Sequence, residues 1–155
     1  MATHDFGPST EAPDGNGRTV KHERTGWRDL RLSQRHRRWG WNCPAIDLDF
    51  LLLEYDRGKA VAIVEYKHER APLQFPMHPS YQALINLGDR AGIPVFACRY
   101  ADDFTWWRAI PLNRTAKQWM MVRSRMSEPE WVGFLYRMRG YELPPEVFAD
   151  SEAAI

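Results

Sequence analysis

Two apolar runs joined by a short turn dominate the hydropathy pattern. Phe50-Leu51-Leu52-Leu53 and Ala60-Val61-Ala62-Ile63-Val64 flank a polar segment containing Asp56-Arg57-Gly58. Short apolar runs bounded by turn residues read as a strand hairpin. Acids sit where the first run begins, at Asp47 and Asp49, and Glu65-Tyr66-Lys67 sits where the second ends. Side chains alternate faces along a strand, so Glu65 and Lys67 share a face, as do Asp47 and Asp49. The turn decides whether those faces coincide. A two-residue turn at Arg57-Gly58 sets Asp49 opposite Tyr66, on the wrong face. A three-residue loop Asp56-Arg57-Gly58 sets Asp49 opposite Glu65 and Asp47 opposite Lys67. Glycine at the third loop position, which needs a left-handed backbone, favours the second arrangement. Asp49, Glu65 and Lys67 then converge.

The pattern changes along the rest of the chain. Residues 1–20 are rich in Gly, Pro, Ser, Thr and Asp and read as a disordered tail. A helix is expected from about Gly26 to Trp39. The segment from His68 to Pro79 holds three prolines and reads as a loop. Ser80 looks like the N-cap of a helix through Arg90, ended by Gly92. Ile93–Tyr100 is apolar on both faces, as in a strand covered on both sides. The intervening helix makes it parallel to the Glu65 strand. Phe104–Leu112 reads as a fourth strand ended by Pro111, with Trp106 and Trp107 on opposite faces, so at most one of them is core and the other is open to stacking or, more in keeping with tryptophan, to cover by a helix. Asn113–Met121 and Glu128–Arg139 read as helices. Ser127-Glu128-Pro129-Glu130 is a start signal for the second, and Trp131, Phe134, Leu135 and Met138 form its core or partner face. The expected fold is therefore α/β, a central mixed sheet with a core hairpin flanked by helices. Residues 21–145 form one domain, and 146–155 a C-terminal tail.

Composition sets outer bounds. At 155 residues, 44% hydrophobic and with seven Trp, the chain reads as one globular domain. No apolar run approaches a membrane span and the N-terminus lacks an apolar signal core, so no membrane partner and a cytoplasmic location are expected. Cys43 and Cys98 are widely separated and read as reduced thiols rather than zinc ligands. Net charge is only +1. The distribution is uneven, however, because Lys21, Arg24, Arg28, Arg31, Arg35, Arg37 and Arg38 face only Glu23 and Asp29 over one short stretch. Arg28, Arg31, Arg35 and Arg38 are the candidate nucleic-acid contacts, since guanidinium groups suit phosphate. A solvated helix face is the competing reading.

Carboxylates and a lysine at the rim of an apolar hairpin are costly unless they bind something. Asp and Glu are hard oxygen ligands suited to Mg²⁺. An acid, an apolar strand, a turn, a second apolar strand and then Glu65-Tyr66-Lys67 resembles the PD-(D/E)xK nuclease superfamily, of restriction-endonuclease-like fold. The resemblance spans roughly residues 24–115. Glu65-Tyr66-Lys67 meets its second signature in full. Pro44 precedes Asp47-Leu48-Asp49 without touching an Asp, so the first signature is met loosely. The resemblance implies a Mg²⁺- (or Mn²⁺-) dependent nuclease cutting phosphodiester bonds in DNA, RNA being a second possible substrate. It implies Asp49 and Glu65 as metal ligands, with Asp47 as a further or alternative ligand. Lys67 would orient water or stabilise the transition state, Gln82 would flank the site, and Glu23 or Asp29 would add an acid from the preceding helix. A small phage- or repair-type endonuclease, selective for branched DNA and able to act as a homodimer, fits a chain of this length. The reading from another class is a non-catalytic nucleic-acid-binding or interaction module. The plainest is a hairpin with an ordinary ion pair at its end.

Overall fold

A computed structural model describes residues 11–13, 19–21, 30–39, 46, 48–54, 57–72, 76–121 and 124–149. The chain divides into two compact units, Met1–Ala45 and Ile46–Ile155. The first holds two short antiparallel strands, β1 (Glu11–Pro13) and β2 (Thr19–Lys21), and one helix, α1 (Leu30–Trp39). Of the segment expected to be a tail, only residues 11–13 and 19–20 are among those described.

The second unit is a five-stranded mixed sheet flanked by helices, as expected. Its order is β3 (Phe50–Glu54), β4 (Lys59–His68), β5 (Val95–Tyr100), β6 (Trp107–Pro111) and β7 (Ser124–Met126). β4 and β5 are parallel and joined by α2 (Pro79–Ala91), while every other neighbour is antiparallel. Strand β7 lies between the last two helices, where the sequence signals no strand. The remaining helices are α3 (Arg114–Trp119) and α4 (Glu128–Met138). Among the described residues, no helix is long and apolar enough to cross a membrane.

Strand alternation divides the core. One face of the sheet carries Ala62, Val64, Phe96, Cys98 and Ala109, packed with Ala116, Trp131, Phe134 and Met138 of α3 and α4. Trp131, Phe134 and Met138 are therefore core and not a partner seam. The other face carries Ile63 and Val95 under Leu84 of α2, with Ile93 and Leu112 beside them. Trp107 packs against the first cluster.

Local chemistry explains the helix ends. Ser127 and Glu130 close a reciprocal capping box on α4, as the start signal suggests. Gly92 ends α2 with φ +70° and Gly140 follows α4 with φ +85°. The cap of α2 is His78 rather than Ser80, because Pro79 already occupies the first helical turn and the His78 Nδ1 accepts from the Ser80 N–H at 3.3 Å. Asn113 ties the second core together. Its Oδ1 accepts from Val95 and Ala116 N–H groups, and its Nδ2 donates to the Ile93 carbonyl and to Asp89. Gly88 lies so close to β5 that a Cβ there would clash with Val95 Cγ2.

Candidate active site

The hairpin reaches the expected facing by an unexpected route. Pairing ends at Glu54↔Lys59, leaving four residues in the loop instead of three. A β-bulge then restores the register, because Leu52 pairs with Ala62 and Leu53 with Ala60, leaving Val61 extra. Val61 and Ala62 accordingly both pack against one cluster. Beyond the bulge Phe50 pairs with Val64, so continuing the register sets Asp49 opposite Glu65. Gly58 has φ +56°, the left-handed conformation expected of it.

The side chains at this end of the hairpin are closely engaged. One Asp49 oxygen accepts the backbone N–H of Tyr66 at 3.0 Å. Lys67 Nζ donates to Glu65 Oε1 at 2.6 Å, an i,i+2 pair on one face of β4. The second oxygen, Glu65 Oε2, is buried and has no hydrogen-bond partner among the described residues. A carboxylate oxygen out of water with nothing to accept from is costly, and such a group calls for an explanation.

The motif is anchored from behind. Tyr66 points to the opposite face, where its hydroxyl accepts from Trp131 Nε1 at 3.1 Å. Its ring meets Phe50, Trp107 and Trp131 edge-on, at centroid separations of 5.1, 5.9 and 6.2 Å. Burial pushes its hydroxyl well above the usual tyrosine range, with the Trp131 hydrogen bond opposing. The middle residue of Glu65-Tyr66-Lys67 thus pins its neighbours in place.

Tyr81 of α2 completes the cluster on the site face. Burial raises its hydroxyl pKa, nearby Lys67 lowers it, and Glu65 and Asp49 raise it further. Burial by itself lowers the Lys67 pKa, but the hydrogen bond and charge of Glu65, aided by Tyr81 and Asp49, leave it raised. Lys67 therefore holds its proton at neutral pH.

Other expected residues lie elsewhere. Gln82 is exposed, and its amide donates to the Pro76 carbonyl at 2.8 Å and reaches Met77 Sδ. The structure brings Tyr81 to the acids in its place, one helical position earlier. Sequence reasoning missed it, although a tyrosine on the apolar stripe of a helix next to the site is the available signal. His68 contacts Asp102 at 2.9 Å and His78 caps α2. Arg31, Arg35 and Arg38 are exposed along one face of α1 in the first unit. Asp47, Arg28, Glu23 and Asp29 lie outside the described residues.

The residues that could hold a divalent cation are Asp49 and Glu65, hard oxygen donors, one of which keeps a buried oxygen without a partner among the described residues. No group of three or more His, Cys, Asp or Glu suited to a metal occurs among the described residues. Comparison with family models, curated proteins and solved structures finds no match for the chain, so its functional reading rests on this geometry and on the hairpin motif.

Proposed function

We propose that the protein is a metal-dependent nuclease that hydrolyses phosphodiester bonds in DNA. The observation that carries this reading is the buried, partnerless Oε2 of Glu65, on the face shared by Asp49 and Lys67. Asp49 and Glu65 would hold Mg²⁺ or Mn²⁺, which lowers the pKa of a bound water and offsets charge on the phosphate.

The protein's own groups divide the remaining work. Asp49 is held by the Tyr66 N–H, so its carboxylate is oriented before substrate arrives. Glu65 offers one oxygen to Lys67 and keeps the other available. The Lys67 ammonium faces the charge that develops on the phosphoryl oxygens. The buried Tyr66 ring prevents the pair from swinging out of register.

A small phage- or repair-type endonuclease with branched DNA as its substrate fits this compact site, and cutting both strands of a duplex favours a two-fold dimer. A cytoplasmic location is the one this reading would fit. The test is incubation with linear, circular, single-stranded and four-way-junction DNA in Mg²⁺, Mn²⁺ or EDTA. Cleavage that requires the metal is expected. Metal-independent binding without cleavage would instead favour the non-catalytic module.

A further inference from the structure

Four cations stand in one row across the sheet. Lys67 of β4 pairs with Arg99 of β5, Arg99 with Arg108 of β6, and Arg108 with Arg125 of β7. Register partners in a sheet share a face, and this is the face of Glu65. The alternation agrees: Trp107 and its partner Met126, one position away, pack into the core on the other side.

Such a row is unfavourable by itself, because like charges directly opposite on neighbouring strands repel. The protein does little to neutralise it. Among the described residues, Lys67 alone of the four has a salt bridge. Arg99 donates to the Glu69 backbone carbonyl, and its Nε is buried without a partner. Arg108 and Arg125 both lie over the indole of Trp106, at 5.9 and 5.2 Å from the ring centroid. That contact orders two guanidinium groups while leaving their charge unpaired. Arg125 is exposed and the other two arginines are half-buried.

We propose that this row, Lys67-Arg99-Arg108-Arg125 with Trp106 beneath its outer half, is the track for the phosphodiester backbone of a nucleic-acid strand leaving the candidate active site. The proposal rests on the nuclease reading for its starting point. Strands lie about 4.8 Å apart, so four cations span about 14 Å, the axial rise of roughly four nucleotides of one strand. The row begins at Lys67, beside Glu65, and runs away from β3 towards the sheet edge at β7. Bound strand therefore extends from the site across β5 and β6. The arginines add affinity and register without reading sequence, because phosphate contacts position and base contacts specify.

The test is fluorescence anisotropy with labelled single-stranded DNA, its RNA equivalent and duplex DNA, in EDTA, across a salt series. The proteins are the full chain, R99Q, R125Q, R108Q/R125Q and the charge-preserving R108K/R125K. R108Q/R125Q should flatten the salt slope for single strands by about 1.4, at roughly 0.7 per phosphate contact. Each lost arginine should raise Kd about tenfold. R125Q removes an exposed side chain and so reads binding even if the double variant folds poorly. R108K/R125K should keep most of the slope. The DNA and RNA arms show which strand chemistry the track prefers. Unchanged Kd and slope in R99Q and R108Q/R125Q, or no binding by the full chain, would overturn the proposal. Cleavage in Mg²⁺ separates the two ideas. Binding that depends on the row without cleavage in either metal sinks the nuclease reading and spares the track. Cleavage that is lost in E65Q but keeps its KM in R108Q/R125Q does the reverse.

Discussion

Single residues decide what Glu65-Tyr66-Lys67 does. The sequence reveals that Glu65 and Lys67 share a face, because strand alternation alone requires it. It does not reveal that Tyr66 is the anchor, since its partners Phe50, Trp107 and Trp131 come from three other elements. Tyr66→Ala should therefore destabilise the fold by about 3–5 kcal/mol, as for other large aromatic truncations, read by denaturant unfolding. A loss below about 1 kcal/mol would show that the ring packs loosely. Cys98 offers a second test. Burial pushes its thiol up to about 12, with a backbone hydrogen bond opposing. The protonated, fully buried thiol should resist alkylation in the native protein at neutral pH and react only after unfolding. The pH dependence follows in sign. Because the folded thiol holds its proton above the ordinary value of 9.0, its contribution to stability is fully present below 9.0 and is lost as pH rises from there through about 12.

At the scale of elements, the hairpin shows how a correct facing can arise from a different backbone. A loop one residue longer than expected and a one-residue bulge cancel, so Asp49 still faces Glu65. Binary patterning did not force that outcome, because Phe50–Leu53 and Ala60–Val64 are apolar on both faces, so a slip by one residue exchanges one apolar face for another. It left the position of the bulge open, since Val61 and Ala62 are both apolar and either fits a buried strand. Caps were legible where the chemistry is local, as in Ser127 and Glu130, and misread at Ser80, where the neighbouring Pro79 shifts the helix start. Strand β7 and the Glu54–Arg139 ion pair were not legible, because both depend on partners distant in sequence. That pair separates two kinds of acid. Glu54 Oε1 accepts from Arg139 Nε at 2.6 Å and Glu54 is buried. Glu54→Ala should cost about 3–5 kcal/mol by stranding Arg139. Glu65→Gln should leave the melting temperature nearly unchanged, because it removes a charge but keeps the shape. Equal losses of stability would show that Glu65 is also a structural acid.

For the whole molecule, charge distribution matters more than net charge. A value of +1 conceals the exposed arginines of α1 and the cation row of the sheet. The first was visible as a run in sequence. The second was invisible, because Lys67, Arg99, Arg108 and Arg125 become neighbours only through strand pairing. Replacing Arg31, Arg35 and Arg38 of α1 by Gln should weaken DNA binding for all sequences and flatten the salt slope by about one unit for each true phosphate contact. An unchanged slope would identify that helix face as merely solvated.

The most direct test of the central claim is the rate of DNA cleavage at saturating Mg²⁺ or Mn²⁺ by the full chain and by Lys67→Ala and Glu65→Gln, with DNA affinity measured on the same preparations. A charge needed in the transition state more than in the ground state affects rate and spares binding. The expected result is metal-dependent cleavage by the full chain, reduced at least about a hundredfold in both variants, as when one transition-state donor is removed, with affinity nearly intact in Glu65→Gln and weakened by no more than about tenfold in Lys67→Ala, which loses one phosphate contact. Cleavage near the full chain's rate in either variant, or no cleavage by the full chain in either metal, would contradict it.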